Sequence, residues 1–281
     1  MIKMVWFPTW KCINYDKEKS HSHNCPYCPY GFKDEWLLYE NKKVSPQGYV
    51  EPKDMIDFLV KHRAVLGNFI EISGGEPLMY NGLIEVLKET GFYWAITTNG
   101  RKTEVVRDMI TEGLFNRCVA FNMSYHPCSN ADNDFRKTSE LIFNYTGGQA
   151  NSTVVVSQHT IGMLQHAKDF LSTVPLQAIH YHHDAHSELP EWVDVEAEKI
   201  IGKVPYLAGD VPKNVMCRKN NNLMAISPTG DVFHCVTKCY LNKDSIGNVK
   251  DIDIIPNNKA ELCDVGCFAC SDWIKHEENK C

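Results

Sequence analysis

The feature that most constrains this chain is a strict alternation of two hydrophobic periods between about residues 50 and 186. "EPKDMIDFLVKHR" places apolar residues at helical spacing behind Pro52, whose fixed φ and missing N–H suit a first helical turn. "NFIEIS" then reads as a strand and runs into "GGEP". The cycle repeats through helix "NGLIEVLKET", strand "YWAITTNG", helix "KTEVVRDMITEG" and strand "RCVAFNMSYHP". It continues through helix "NDFRKTSELIFNY", strand "NSTVVVSQHT", helix "MLQHAKDFLSTV" and strand "QAIHYHHD". Strands separated by helical crossovers lie parallel, with right-handed connections. Counting an opening strand in "IKMVWFPTW", the pattern predicts six βα units, short of the eight that close a full barrel. The expected fold is α/β, a partial barrel or an open parallel sheet.

Beyond residue 188 the pattern changes. "ELPEWVDVEAEKIIGKVP" looks helical and connecting, and residues 205–281 are rich in Gly, Pro, Asn, Asp and Cys. Only short runs there, "LMAISP" and "DVFHCV", are strand-like. Such a segment buries little apolar surface of its own, so a metal core is its natural stabiliser. The division expected is 1–188 for the α/β part and 189–281 for a connecting helix and small cysteine-rich domain.

Composition removes several functions. A net charge of −6 argues against a dedicated nucleic-acid binder, because phosphate neutralisation needs clustered Lys and Arg. No run approaches the roughly 18–20 apolar residues of a membrane span, so no membrane partner is expected. The opening "MIKMVWFPTWKC" is interrupted by Pro8 and Lys11 too early for a secretory signal, and a cytoplasmic protein is expected. Twelve cysteines in such a chain read as metal ligands or catalytic thiols before disulfides. They are also clustered: three precede residue 30 and seven lie from Cys217 onward.

Cys12, Cys25 and Cys28 follow the first strand, and in parallel α/β folds chemistry collects at the C-terminal strand ends. "GGEP" ends the second strand, "TTNG" the third, "SYHP" the fourth, and "YHHDAH" continues from the sixth, all on one rim. Three thiolates on a four-iron, four-sulfur cube leave one iron without a protein ligand, open to a substrate or cofactor. With these motifs together, the chain resembles a radical S-adenosylmethionine (SAM) enzyme over about residues 2–186. The family's usual cysteine spacing is C-x3-C-x2-C, with an aromatic residue before the last cysteine, matched here by Tyr27. The first gap here is twelve residues, a departure known in some 7-carboxy-7-deazaguanine synthases.

The resemblance implies that Gly74, Gly75 and Glu76 of "GGEP" receive the SAM amino group. Two glycines allow close backbone approach, and Glu76 is able to accept from an ammonium. It also implies that Thr98 and Asn99 of "TTNG", Ser124 and Gln158 contact the methionyl and ribose groups. The cofactors implied are a SAM-binding 4Fe–4S cluster and SAM, cleaved reductively to a 5′-deoxyadenosyl radical that abstracts hydrogen from a substrate. A flavodoxin- or ferredoxin-type electron donor is the implied protein partner.

In the tail, Cys217-x12-Gly230-x4-Cys235 resembles the start of the family's SPASM or shorter twitch domains, and "SIGNV" the turn that follows. A twitch-like assignment puts one auxiliary 4Fe–4S cluster on Cys217, Cys235, Cys267 and Cys270, leaving Cys239, Cys263 and Cys281 over. Seven cysteines is also the SPASM count, but its C-x2-C-x5-C-x3-C core is absent. A zinc ribbon on the same thiolates is the alternative.

Candidate acid–base residues must face the barrel interior. Strand alternation sets Glu71 on the face of Ser73, as a substrate base or half of a buried ion pair. His180 and His182 share a face opposite His183, and His126 sits in "SYHP". His21 and His23 are expected in solvent. Cys128, or else Cys239, is a candidate hydrogen donor to a substrate radical, whereas Cys118 reads as core. The expected function is a radical SAM oxidoreductase or tailoring enzyme, a dehydrogenase or epimerase acting on a small metabolite. The alternatives are a peptide or protein maturase and, more distantly, a zinc scaffold. No leader-binding domain is expected in the chain, because the first strand begins at residue 2.

Overall fold

The computed structural model describes residues 2–10, 49–129, 131–146, 150–183, 190–203, 215–217, 223–253 and 261–263. Six parallel strands follow the sequence pattern: β1 (Lys3–Trp6), β2 (Phe69–Ile72), β3 (Tyr93–Thr98), β4 (Cys118–Tyr125), β5 (Ala150–Val156) and β6 (Ala178–His183). Between them run α1 (Pro52–Lys61), α2 (Leu83–Thr90), α3 (Thr103–Thr111), α4 (Asp132–Thr146) and α5 (Leu164–Ser172), with α6 (Glu191–Ile201) after β6. This is the parallel α/β partial barrel that the alternation predicts.

The helices form where local chemistry and the apolar stripe agree. α1 begins on Pro52, carries Asp54 in its first turn and Lys61 in its last, and buries Met55, Phe58 and Leu59 at i, i+3 and i+4. α2 buries Leu83, Val86, Leu87 and Thr90 and stops at Gly91, whose φ of 66° suits glycine and whose N–H bonds Leu87 O.

Strand alternation sorts the core into two clusters on opposite faces of the sheet. Met4, Trp6, Ile70, Ile72, Trp94, Ile96, Phe121, Met123, Val154 and Val156 face the helices in the larger cluster. Val5 and Phe7, from the other face of β1, join a smaller cluster with Trp10, Leu223, Ala225 and Phe233. Fully burying one such aliphatic chain contributes roughly 1.5–3 kcal/mol, so the helix-facing layer dominates stability.

The sheet does not end at β1. β8 (Leu223–Ile226) pairs parallel with β1, Met4 opposite Met224 and Trp6 opposite Ile226. β9 (Asp231–Phe233) and β10 (Gly247–Asn248) add antiparallel strands, giving the order β10-β9-β8-β1-β2-β3-β4-β5-β6. A short α7 (Val236–Leu241) then packs Val236 and Cys239 onto the smaller cluster, where the sequence reading had extended a strand to Val236. β7 (Val215–Cys217) and β11 (Glu261–Cys263) pair with each other as a separate two-stranded ladder. No described helix is long and apolar enough to cross a membrane.

Candidate functional site

The C-terminal rim is organised around "GGEP". Ser73 N donates to Trp6 O at 3.0 Å and Gly75 N to Thr9 O at 2.9 Å, which ties the loop to the chain leaving β1. Gly74 has φ of +131°, and a Cβ there would lie 2.6 Å from Thr9 O, so only glycine fits. Cys12 is three residues beyond Thr9 in sequence. Cys12, Cys25, Cys28 and Tyr27 themselves lie outside the described residues.

Glu76 is completely buried. Its Oε1 accepts from Thr98 Oγ1 at 2.6 Å and Leu78 N at 3.1 Å, and its Oε2 accepts from Asn99 N at 2.7 Å. Burial pushes its pKa up, while Thr98 first, then Asn99 and Leu78, pull it back by favouring the carboxylate. These bonds clamp the end of β2 to the end of β3. Thr98 completes the clamp by accepting from Gly100 N at 3.1 Å, and Asn99 Oδ1 accepts from Arg101 N at 3.0 Å. Thr98 and Asn99 are both buried, so these side chains too shape the rim from within.

The rim beyond β4 holds His126 and Cys128. Ser129 donates to His126 O from its backbone N at 2.9 Å and from its Oγ at 2.7 Å, closing a tight turn. Desolvation, and then the nearby Arg101 charge, lower the His126 pKa to about 4, so the ring is neutral at pH 7. The folded state therefore binds fewer protons than the unfolded state between pH 6.5 and about 4. Stability is expected to be complete above pH 6.5 and to fall as pH drops through that window. Denaturant midpoints measured at pH 7 and pH 5 should show this slope in the parent and a shallower one in His126→Gln. An equal slope in both would remove the assignment. Cys128 is a half-buried cysteine, and Arg101 is a rim residue that the sequence reading passed over.

The concave face below the rim carries the remaining candidates. Glu71 is buried between Val5 and Ala95, with Oε2 4.0 Å from Lys3 Nζ, so the ion-pair geometry anticipated for it has a named partner. Ser124 faces the same side, in register with Thr153 of β5. His180 and His182 line edge strand β6 with rings 6.3 Å apart, opposite Thr153 and Val155. His183 ends the strand. Gln158 is exposed and lies 3.4 Å from His159 Nε2. Cys118 begins β4 at the opposite end of the sheet, its thiol pushed up to about 12 by burial.

In the tail, Cys235 caps α7 and Cys239 lies one turn on, both buried beside Phe7, Trp10 and Tyr240. Phe7 stacks on Trp10 at 5.1 Å, and Tyr240 lies 5.0 and 5.5 Å from these two rings. Cys217 ends β7 opposite Glu261, and Cys263 ends β11 opposite Val215. Cys267, Cys270 and Cys281 lie outside the described residues, as do His21 and His23. Among the described residues, no three His, Cys, Asp or Glu side chains converge in a metal-binding arrangement.

The parallel partial barrel, with loops gathered at its C-terminal rim, defines the structural class. Within that class the chain resembles SuiB of Streptococcus suis bound to S-adenosylmethionine, with a TM-score of 0.52 and 13% identity. The match covers 89% of this chain and 62% of SuiB, so the chain spans less than two thirds of that protein. It also resembles anSMEcpe with bound AdoMet, at a TM-score of 0.58 and 13% identity over 90% of this chain and 79% of that one. The same protein with AdoMet and the Kp18Cys peptide matches at 0.59 and 13%, over 89% and 78%. Identities this low establish a shared fold. No protein-family model matches the chain, and no curated protein matches its sequence.

Proposed function

We propose that this chain is a radical SAM enzyme that abstracts a hydrogen atom from a small-molecule substrate, in a dehydrogenation, epimerisation or related tailoring reaction. The observation that carries the reading is the "GGEP" loop. It is fastened by backbone bonds to the chain leading toward Cys12, and by buried Glu76 to the "TNG" turn. Both neighbours named above were solved with SAM, on the same fold. The donor chemistry fits the cofactors: Cys12, Cys25 and Cys28 would hold the 4Fe–4S cluster and leave one iron open to SAM. When bound, the cluster and SAM supply one-electron reductive cleavage and a species able to take hydrogen from an unactivated carbon. A flavodoxin- or ferredoxin-type protein is the electron source this chemistry requires.

This chain's own residues would orient and exclude. The loop would meet the SAM amino group, with Gly74 and Gly75 letting its backbone approach and Glu76, held by Thr98 and Asn99, keeping its carboxylate at that rim. Ser124 would contact SAM from β4, and Gln158 from the turn after β5. Glu71, His126, Cys128 and His182 remain the candidates for moving a proton or hydrogen atom. Neutral His126 offers one ring N–H to donate and one ring nitrogen to accept a hydrogen bond. Cys217, Cys235, Cys267 and Cys270 would hold an auxiliary 4Fe–4S cluster, with 1–188 as the catalytic part and 189–281 as the auxiliary part. Residues 223–226, 231–233 and 247–248 of that second part share the barrel's sheet, so the two would fold as one unit.

A second reading, peptide modification, is favoured by the structures of SuiB with its precursor peptide SuiA and of anSMEcpe with peptides. The test of the main reading is anaerobic reconstitution followed by assay of 5′-deoxyadenosine released from SAM under a low-potential reductant. Formation of that product supports it, and its absence from fully iron-loaded protein contradicts it.

A further inference from the structure

The inward face of β3–β6 has an unusual lining. Barrel interiors that serve as core are filled by Val, Ile and Leu. Here the register aligns Thr97, Asn122 and Asn151 in one row, and Ser124, Thr153 and His180 in the next. Their neighbours along the strands, Phe121, Met123, Val154 and Ile96, point the other way into the helix-facing core. Beside and below that row Ala95, Ala120 and Ala178 are small, while Val155 and His182 lie nearer the rim and Tyr93 stands at the start of β3. This wall is therefore built of small and polar side chains that offer hydrogen bonds.

Those hydrogen bonds are largely unspent. Asn151 Nδ2 donates to Asn122 Oδ1 at 3.5 Å, the outer limit for such a bond. Among the described residues nothing else ties down either amide. That leaves both N–H groups of Asn122, the second N–H of Asn151 and the Asn151 carbonyl. Asn122, Asn151, Thr97 and Thr153 are all half-buried, where unpaired amides and hydroxyls carry a desolvation cost that a ligand would relieve. Two residues separate this row from Ser124 and four from His126, so the pair sits about 7 Å or more below the rim at roughly 3.3 Å per residue.

We infer that Asn122 and Asn151 form a specificity-determining amide pair that holds adjacent hydroxyl groups of a neutral polyol substrate. The inference rests on the enzymatic reading above and names the substrate class for it. Hydroxyls both donate and accept, matching a mixed set of amide N–H and C=O groups. Strands β3 to β6 bear no Lys, Arg, Asp or Glu, and the charges nearest on that face, Lys3 and Glu71, lie 4.0 Å apart and offset each other, so the wall offers little net counter-charge to an ionised ligand. Apart from Tyr93 at the start of β3, its inward apolar side chains are no larger than Val155, leaving an apolar peptide side chain little to pack against beside the amide pair.

The experiment titrates reconstituted, SAM-loaded protein calorimetrically with three neutral polyols (myo-inositol, D-glucose, sorbitol), with D-glucose 6-phosphate and with a neutral capped dipeptide amide. At least one neutral polyol is expected to bind, more tightly than both controls. Asn122→Ala and Asn151→Ala are each expected to weaken that binding about tenfold, the effect of one or two lost hydrogen bonds. SAM affinity should stay within about twofold, which reports an intact fold. Absence of polyol binding, preference for the dipeptide or the phosphate, or polyol binding that survives both substitutions overturns the inference. Failure of the parent to bind SAM is a separate result: it removes the enzymatic reading, and the inference falls with it.

Discussion

Alanine at any one of Cys12, Cys25 or Cys28 is expected to cut reductive cleavage of SAM to below about one-thousandth of the parent rate, a barrier increase of about 4 kcal/mol or more. The size follows from the ligand count. Three thiolates are already one short of a closed four-iron site, so losing another removes the cluster's attachment and not merely a contact. Cys118→Ala is the matched control. Its thiol begins β4 at the far end of the sheet and is held protonated by burial, so cleavage should continue at the parental rate. The assay is 5′-deoxyadenosine formed per minute per reconstituted chain. Parental turnover in any of the three rim variants would contradict the assignment.

The second large effect is on stability and falls at Glu76. Its carboxylate accepts from Thr98 Oγ1, Asn99 N and Leu78 N inside a fully buried site. Glu76→Ala strands three donors, each worth about 1–3 kcal/mol when left unpaired in the interior. Relief from burying a charge offsets part of this, leaving an expected net loss of about 3–5 kcal/mol. That is a large fraction of the 5–15 kcal/mol typical of a domain. Glu76→Gln keeps one carbonyl acceptor and sets an amide N–H against a backbone donor, so a loss of about 2 kcal/mol is expected. Urea midpoints at pH 7 read both. A loss below about 1 kcal/mol in Glu76→Ala would show that the clamp does not hold the rim together.

The partial barrel was legible because its two periods are strong and uninterrupted. Every strand from β1 to β6 and every helix from α1 to α6 lies, to within a residue at either end, inside a run read from hydrophobic spacing. What the sequence withheld was long-range pairing. "LMAISP" looks like a strand, but nothing local says that it will lie parallel against β1, because parallel partners are chosen by tertiary packing. The short α7 was hidden for a related reason. Val236 ends the strand-like run "DVFHCV", and packing of Val236 and Cys239 against Phe7 and Trp10 favours the helix. At the site, "GGEP" was readable as a motif, whereas the clamp at Glu76 depends on Thr98 and Asn99, more than twenty residues away. The amide pair was unreadable for the same cause. Asn122 and Asn151 lie 29 residues apart in sequence, and neither follows a local signal; only the β4–β5 register brings them together.

The central claim is that the cysteines after β1 hold a cluster distinct from one in the tail. It is tested most directly by counting metal in anaerobically reconstituted protein beside a Cys12/Cys25/Cys28→Ala triple variant. The account predicts about eight irons per parent chain and about four in the variant, from two four-iron clusters. A parent that holds zinc with no labile iron, or a variant that keeps all eight irons, would contradict it.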